Sequence, residues 1–115
     1  MRMFVDPPPI YLYRDVVDFR KSINGLALVV EQELERSAFE PALFLFCNRG
    51  RDKLKILHWD STGFGLWYKR LEKARFKWPR NHEHAELELN AQQLDWLLKG
   101  YDIIGHSHCH YTQIK

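Results

Sequence analysis

The run Ala42-Leu-Phe-Leu-Phe-Cys47, followed by Asn48-Arg-Gly-Arg-Asp52 and Lys53-Leu-Lys-Ile-Leu-His-Trp59, decides the fold. Every residue from 42 to 47 is apolar, the pattern of a strand covered on both faces, so it belongs at the centre of a sheet. Asn, Gly and Asp in 48–52 are turn formers, and the seven residues beyond partly alternate polar with apolar, as a half-exposed strand does. The two runs therefore form a hairpin. Asp60-Ser-Thr-Gly63 is a second turn, and Phe64-Gly-Leu-Trp-Tyr-Lys-Arg70 continues the sheet, giving a three-stranded meander over 42–71. Residues 66–75 would also suit a helix, but strand is the better reading. Phe76-Lys-Trp78 is expected to add a further strand, which carries the meander to about residue 78.

Outward from this centre the elements are simpler. Pro7-Pro8-Pro9 forbids helix and favours an extended lead, so residues 1–9 read as a mobile lead before a short strand at Ile10-Tyr-Leu-Tyr13. Asp18 is expected to cap an N-terminal amphipathic helix whose apolar positions Phe19, Ile23, Leu26, Val30 and Leu34 recur every three or four residues. Pro41 bounds it. Ala85-Glu-Leu-Glu-Leu89 alternates strictly as a strand, and Asn90 caps a C-terminal helix carrying Leu94, Leu97 and Leu98 and ended by Gly100. The sum is a single α+β domain over 1–115 with a largely antiparallel sheet, a core spanning residues 10–100, and a tail from 101 to 115.

Composition excludes several classes. With 45% hydrophobic and 28% charged residues the chain lies away from the low-hydrophobicity corner in which chains stay disordered. The longest apolar run is far short of the roughly 20 residues that span a bilayer. The N-terminus has no apolar stretch followed by a small-residue cleavage site, so the expected location is the cytoplasm, with no membrane partner. Two cysteines, Cys47 inside an apolar strand and Cys109 in the tail, do not make a disulfide framework.

The overall charge of +2 hides a strong segregation. Residues 49–80 hold ten Lys/Arg against three Asp/Glu, a net of +7, while residues 1–48 and 81–115 carry −2 and −3. The same window holds Trp59, Trp67 and Trp78 with Phe64, Tyr68 and Phe76. Cations on a sheet offer phosphates a surface, and aromatic rings among them can stack on unpaired bases. Arg49, Arg51, Lys53, Lys55, Lys69, Arg70, Arg75 and Lys77 are accordingly the candidate phosphate contacts, with Trp67 and Trp78 as candidate stacking groups. The competing reading is that the tryptophans pack the core and the charges are solvated. No helix-turn-helix, zinc-finger or RRM pattern is present, so backbone contact should outweigh base reading.

Several of these stretches together resemble a known family: Tyr11-Leu-Tyr-Arg14, Asp18-Phe-Arg-Lys-Ser-Ile-Asn-Gly25, Phe46-Cys-Asn-Arg49, Trp59-Asp-Ser-Thr-Gly-Phe64, Leu66-Trp-Tyr-Lys-Arg-Leu-Glu72, Arg75-Phe-Lys-Trp-Pro79 and Leu94-Asp-Trp-Leu-Leu-Lys-Gly100. They resemble the small accessory protein (TnpB type, Orf2-like) of the insertion sequence 66 family of bacterial transposable elements, not the RNA-guided nuclease that shares the TnpB name. The resemblance covers residues 10 to about 100. It implies a bacterial protein encoded beside a separate DDE-type transposase and supporting DNA transposition, its own molecular activity being poorly defined; the lack of any catalytic spacing makes it a non-catalytic protein in this reading. Its implied partners are DNA, as transposon ends or a transposition intermediate, and the transposase of the same element, and a homodimer is compatible with it. A protein-interaction adaptor that docks on the transposase without touching DNA is the alternative. The chain departs from the family pattern at His58, where an aromatic Tyr or Trp is expected, and at Gly65, where a larger side chain is.

Other chemistry finds less support. His106, His108, Cys109 and His110 supply the nitrogen and sulfur donors that zinc prefers, and His82 and His84 could complete a set. A structural zinc site usually combines two separated ligand pairs, however, so this terminal run reads as a tail and no cofactor is expected. Asp18, Asp60, Glu72, Asp95 and Asp102 form no catalytic spacing. Asp60 in Asp-Ser-Thr-Gly, an aspartic-protease-like tetrapeptide, is explained by turn formation.

Overall fold

A computed structural model of the chain describes residues 6–80 and 83–103. Its elements in chain order are β1 (Ile10–Tyr13), α1 (Ile23–Gln32), β2 (Leu43–Cys47), β3 (Lys53–Trp59), β4 (Phe64–Arg70), β5 (Glu86–Leu89) and α2 (Ala91–Leu98). The five strands form one sheet in the order β4-β3-β2-β1-β5. β2, buried at all five residues, is the central strand, as its unbroken apolar run requires. β1 runs parallel to it, with Ile10 opposite Leu43, while the other three pairings are antiparallel. A parallel pair needs a long crossover, and the segment containing α1 supplies it.

Alternation along β2 divides the core. Phe44 and Phe46 pack with Tyr11, Tyr13, Leu57, Leu26 and Val30 on the α1 face. Leu43, Leu45 and Cys47 pack with Leu54, Ile56, Leu94, Leu97, Phe76 and Trp78 on the α2 face. Burial pushes the thiol of Cys47 up to about 12, so it serves as a small apolar side chain. A guanidinium ties the crossover to the sheet edge. Arg36 lies 3.8 Å above the Tyr11 ring and binds both carboxylate oxygens of Glu86 on β5, at 2.6 and 3.0 Å.

Two expectations need correction. The first helix begins at Ile23, after an extended Ser22, and Asp18 does not cap it. The Asp18 carboxylate is committed to its own turn: Oδ1 accepts the backbone N–H of Arg20 at 2.9 Å and the guanidinium of Arg20 binds both oxygens. Phe19 therefore precedes the helix and Leu34 follows it. The segment Phe76-Lys-Trp78 is no strand either. The amides of Trp78 and Arg80 donate two residues back, to the carbonyls of Phe76 and Trp78, and so form tight turns where a ladder would have used them. Phe76 and Trp78 are nevertheless buried, and the Trp78 indole N–H donates to the Tyr13 carbonyl at 2.9 Å.

The C-terminal helix follows its sequence signals closely. The Asn90 side chain accepts the Gln93 amide, Gln93 reciprocates to the Asn90 amide, and the two bonds form a capping box. At the other end Gly100 takes φ +84°, with Gly100 N–H donating to Leu97 O and Tyr101 N–H to Trp96 O. This double bond pattern satisfies the last carbonyls, and glycine supplies the left-handed backbone at least cost. The His/Cys run from 106 to 110 and His82 lie outside the described residues. Among the described residues no three His, Cys, Asp or Glu side chains come together as a metal site, and no helix is long and apolar enough to cross a membrane.

The two positions read from the resemblance as departures, His58 and Gly65, form one feature in the structure. His58 and Gly65 are direct cross-strand partners in the β3–β4 pair, and a Cβ built on Gly65 would overlap the His58 ring. The imidazole occupies the space that a side chain at 65 would need. Gly65→Ala alone is expected to lower stability by about 0.5–1.5 kcal/mol in urea unfolding, the cost of turning the His58 ring off its rotamer. Adding His58→Ala should recover most of the loss, a coupling of about 0.5–1.5 kcal/mol in the double-mutant cycle; strictly additive effects would refute the pairing.

Candidate nucleic-acid interface

The β2–β3 hairpin is built by its own polar residues. Asn48 donates to Asp52 Oδ1 at 2.8 Å and accepts the Lys53 amide, while Arg51 takes a left-handed φ of 60° to close the turn. The bond from Asn48 holds the Asp52 carboxyl below its usual range. The chain leaving β4 then folds around this tip. Leu71 N–H donates to Asp52 O, Phe76 N–H to Arg51 O, and the Arg75 guanidinium to Gly50 O. Lys53 faces Arg70 across the β3–β4 ladder. Arg49, Arg51, Lys53, Arg70 and Arg75 are thereby gathered at one pole of the sheet.

Beside this pole, on the α1 face, lies an open groove of about 850 Å³ lined by Phe19, Arg20, Arg49, Lys53, Lys55 and Tyr68 among others. One wall is the segment before α1, pinned by the Val17 amide to the Cys47 carbonyl. The ammonium of Lys55 pins it again, donating to the carbonyls of Phe19 and Lys21 at 3.0 and 3.1 Å and sitting 4.7 Å over the Phe19 ring. The other side is Tyr68, opposite Lys55 in register and 49% exposed. Asp18 also borders the groove. Its hydrogen bonds from the Arg20 guanidinium hold its carboxyl down to about 2, so its charge is matched within the wall itself.

The structure sorts the sequence-derived residues unequally. The side chains of Arg49, Arg51 and Lys53 stand at the pole with no hydrogen-bonded or ion-paired partner among the described residues, and exposed Lys77 follows in the loop. Arg70 is there too, bound to Glu72, and Arg75 keeps charge to spare beyond its bond to Gly50. Lys55 is a strut of the groove wall. Lys69 lies on the opposite face, where its ammonium donates to the Leu98 carbonyl at the end of α2. Trp67 also points to that face and packs half-buried against its core. Trp78 is only 6% exposed, so its ring has no face to offer a base.

Sequence reasoning missed Tyr68 and Arg20 at the groove. Strict alternation from Lys55 through its partner would have placed Tyr68 on the cationic face. It also missed that the remaining aromatics separate from the cations. Phe39, Trp59 and Phe64 form a cluster with ring centroids 5.0–5.3 Å apart, Phe39 being 55% exposed. The cluster sits at the other end of β3 and β4, six residues or about 20 Å from Lys53 at the usual strand rise.

A model of the IS66 Orf2-like protein family matches residues 8–107. The chain belongs to the IS66 Orf2-like family. Two curated relatives come from Sinorhizobium fredii (strain NBRC 101917 / NGR234). "Uncharacterized protein y4hO" is 35% identical over 85 residues, 74% of this chain and 73% of that one. "Uncharacterized protein y4jC" is 31% identical over 86 residues, 75% of this chain and 73% of that one. No solved structure matches. Members of this family are transposition-associated accessory proteins, and the match includes both the hairpin tip and the groove wall.

The assignment of Lys55 as a strut has a direct check. Lys55→Met is expected to cost about 1–3 kcal/mol in urea unfolding, because two carbonyls lose a charged donor. Amide exchange should quicken at residues 19–21. Unchanged stability and exchange would show that the wall stands without it.

Proposed function

We propose that this IS66 Orf2-like protein supports transposition by binding DNA through the phosphate backbone at the basic pole of its sheet, acting in the bacterial cytoplasm and without catalysing a reaction. The observation that carries this reading is the gathering of Arg49, Arg51, Lys53, Arg70 and Arg75 around one hairpin tip, beside an open groove. The acidic flanks support it by where they go. Glu86 and Glu88 lie on β5 at the sheet edge farthest from β4, and α2, with Asp95 bound to Lys99, covers the opposite face. Glu86 and Glu88 are thereby set apart from the β3–β4 edge that carries Lys53 and Arg70. Clustered cations of this kind bind phosphates by releasing counterions, which makes affinity fall steeply with salt.

Arg49→Glu combined with Lys53→Glu is the sharpest variant, since neither side chain holds the fold together. Fluorescence anisotropy between about 50 and 200 mM salt should show a log–log slope shallower by roughly 1.4–1.8 than that of the parent, from two lost phosphate contacts. Absence of binding near 50 mM salt, or binding indifferent to salt, would refute the proposal.

A second reading draws on a separate observation. The Phe39, Trp59 and Phe64 cluster is a partly exposed aromatic surface at the far pole, of the kind that anchors protein interfaces. It favours an adaptor that docks on the transposase of the same element. Co-purification with that transposase should fall at least about tenfold for Phe39→Ser with Trp59→Ala, the loss expected when hot-spot aromatics are truncated. Complex formation lost instead with Arg49→Glu/Lys53→Glu would place the contact at the basic pole.

A further inference from the structure

We infer that the groove beside the basic pole is a site for an unpaired DNA strand, with one base stacked on Tyr68 and the adjoining phosphates held by Arg49 and Lys53. The inference rests on the DNA-binding reading above and adds to it the form of the nucleic acid. Its first support is size. At about 850 Å³ the groove falls in the range of pockets that take single small molecules, about 300–1,000 Å³. A nucleotide fits such a space. A paired base, stacked within a duplex, could not enter it.

The second support is the chemistry of the lining. Val16, Val17, Phe19 and Tyr68 supply apolar and aromatic surface, while Arg49 and Lys53 supply cations around it, Arg20 being paired with Asp18. Stacking platforms ringed by cations are how proteins hold single strands, because every base has a π face whereas a paired base hides both of its faces in the stack. Tyr68 suits the task. Its ring is half-exposed and has no ring partner among the described residues, and its backbone is fixed in β4 opposite Lys55.

The third support concerns what the groove lacks. Asn48, the only amide in the lining, has its Nδ2 on Asp52 and its Oδ1 on the Lys53 amide. Asp18 is bound to Arg20. The amide and the carboxylate of the lining are thus already committed, so any preference among bases would rest on Arg49 and Lys53, and the site should discriminate chiefly by strandedness.

The test uses the full chain and fluorescein-labelled oligonucleotides of about 12 nucleotides, within the span of known single-strand sites, offered as single strand or duplex at about 50 mM salt. The parent should bind the single strand more tightly than the duplex. Tyr68→Ala should weaken single-strand binding by about 5- to 150-fold, the equivalent of one base–aromatic stack of about 1–3 kcal/mol, and leave duplex binding within about twofold. Tyr68→Phe, which keeps the ring, should retain single-strand affinity, and circular dichroism should confirm that both variants fold. Duplex preference, or equal losses on both substrates for Tyr68→Ala, would overturn this inference while leaving backbone binding intact. No binding to either substrate would overturn the DNA-binding reading itself.

Discussion

β2 is the constraint on which the molecule depends. Five consecutive apolar residues, each buried, must be covered on both faces at once, and no single helix can do that. Burying each of its large side chains contributes about 1.5–3 kcal/mol, so leaving either face open would cost several times that. The chain answers with α1 on one side, and with α2, Phe76 and Trp78 on the other. The position of every other residue follows from which side of β2 it is recruited to cover.

That division explains why a uniformly basic stretch of sequence does not become a uniformly basic surface. Neighbouring residues on a strand point to opposite faces, so Tyr68 and Lys69, adjacent in the chain, end on opposite sides of the sheet. Lys69 meets the end of α2 and donates to its last carbonyl, where a cation is favoured by the helix dipole. Lys55 meets the segment before α1 and does similar work for two loop carbonyls. The side chains of Arg49, Arg51 and Lys53, at the hairpin tip, have no such duty among the described residues. The aromatic residues are divided by the same geometry: Trp67 and Trp78 serve the α2-side core, and Trp59 joins Phe39 and Phe64 at the far end.

The paired departure at His58 and Gly65 shows how a local rule can be broken in a balanced way. A glycine inside a strand weakens it, and an imidazole replaces the aromatic ring expected beside it. Placed opposite one another, each supplies what the other lacks: the glycine leaves room and the ring fills it. In a linear sequence the two positions are seven residues apart and look like independent losses of aromatic surface.

Much was therefore legible before any coordinates. The apolar run of β2, the turn residues at 48–52 and 60–63, and the alternation at 86–89 determined the strands by side-chain periodicity, and Asn90 with Gln93 and Gly100 determined the ends of α2 by local hydrogen bonding. These signals act over a few residues, so sequence alone carries them. Asp18 misled because its carboxylate had a nearer competitor in Arg20, and Phe76-Lys-Trp78 misled because buried alternation also fits two rings inserted from a loop. Only the tertiary structure decided which cations stand open, that Tyr68 and not Trp78 faces the groove, and that Trp59 and Phe64 gather with Phe39 at the far end of β3 and β4. The physical reason is that exposure belongs to contacts between elements: whether a given face of a strand meets water depends on which distant segment comes to lie on it.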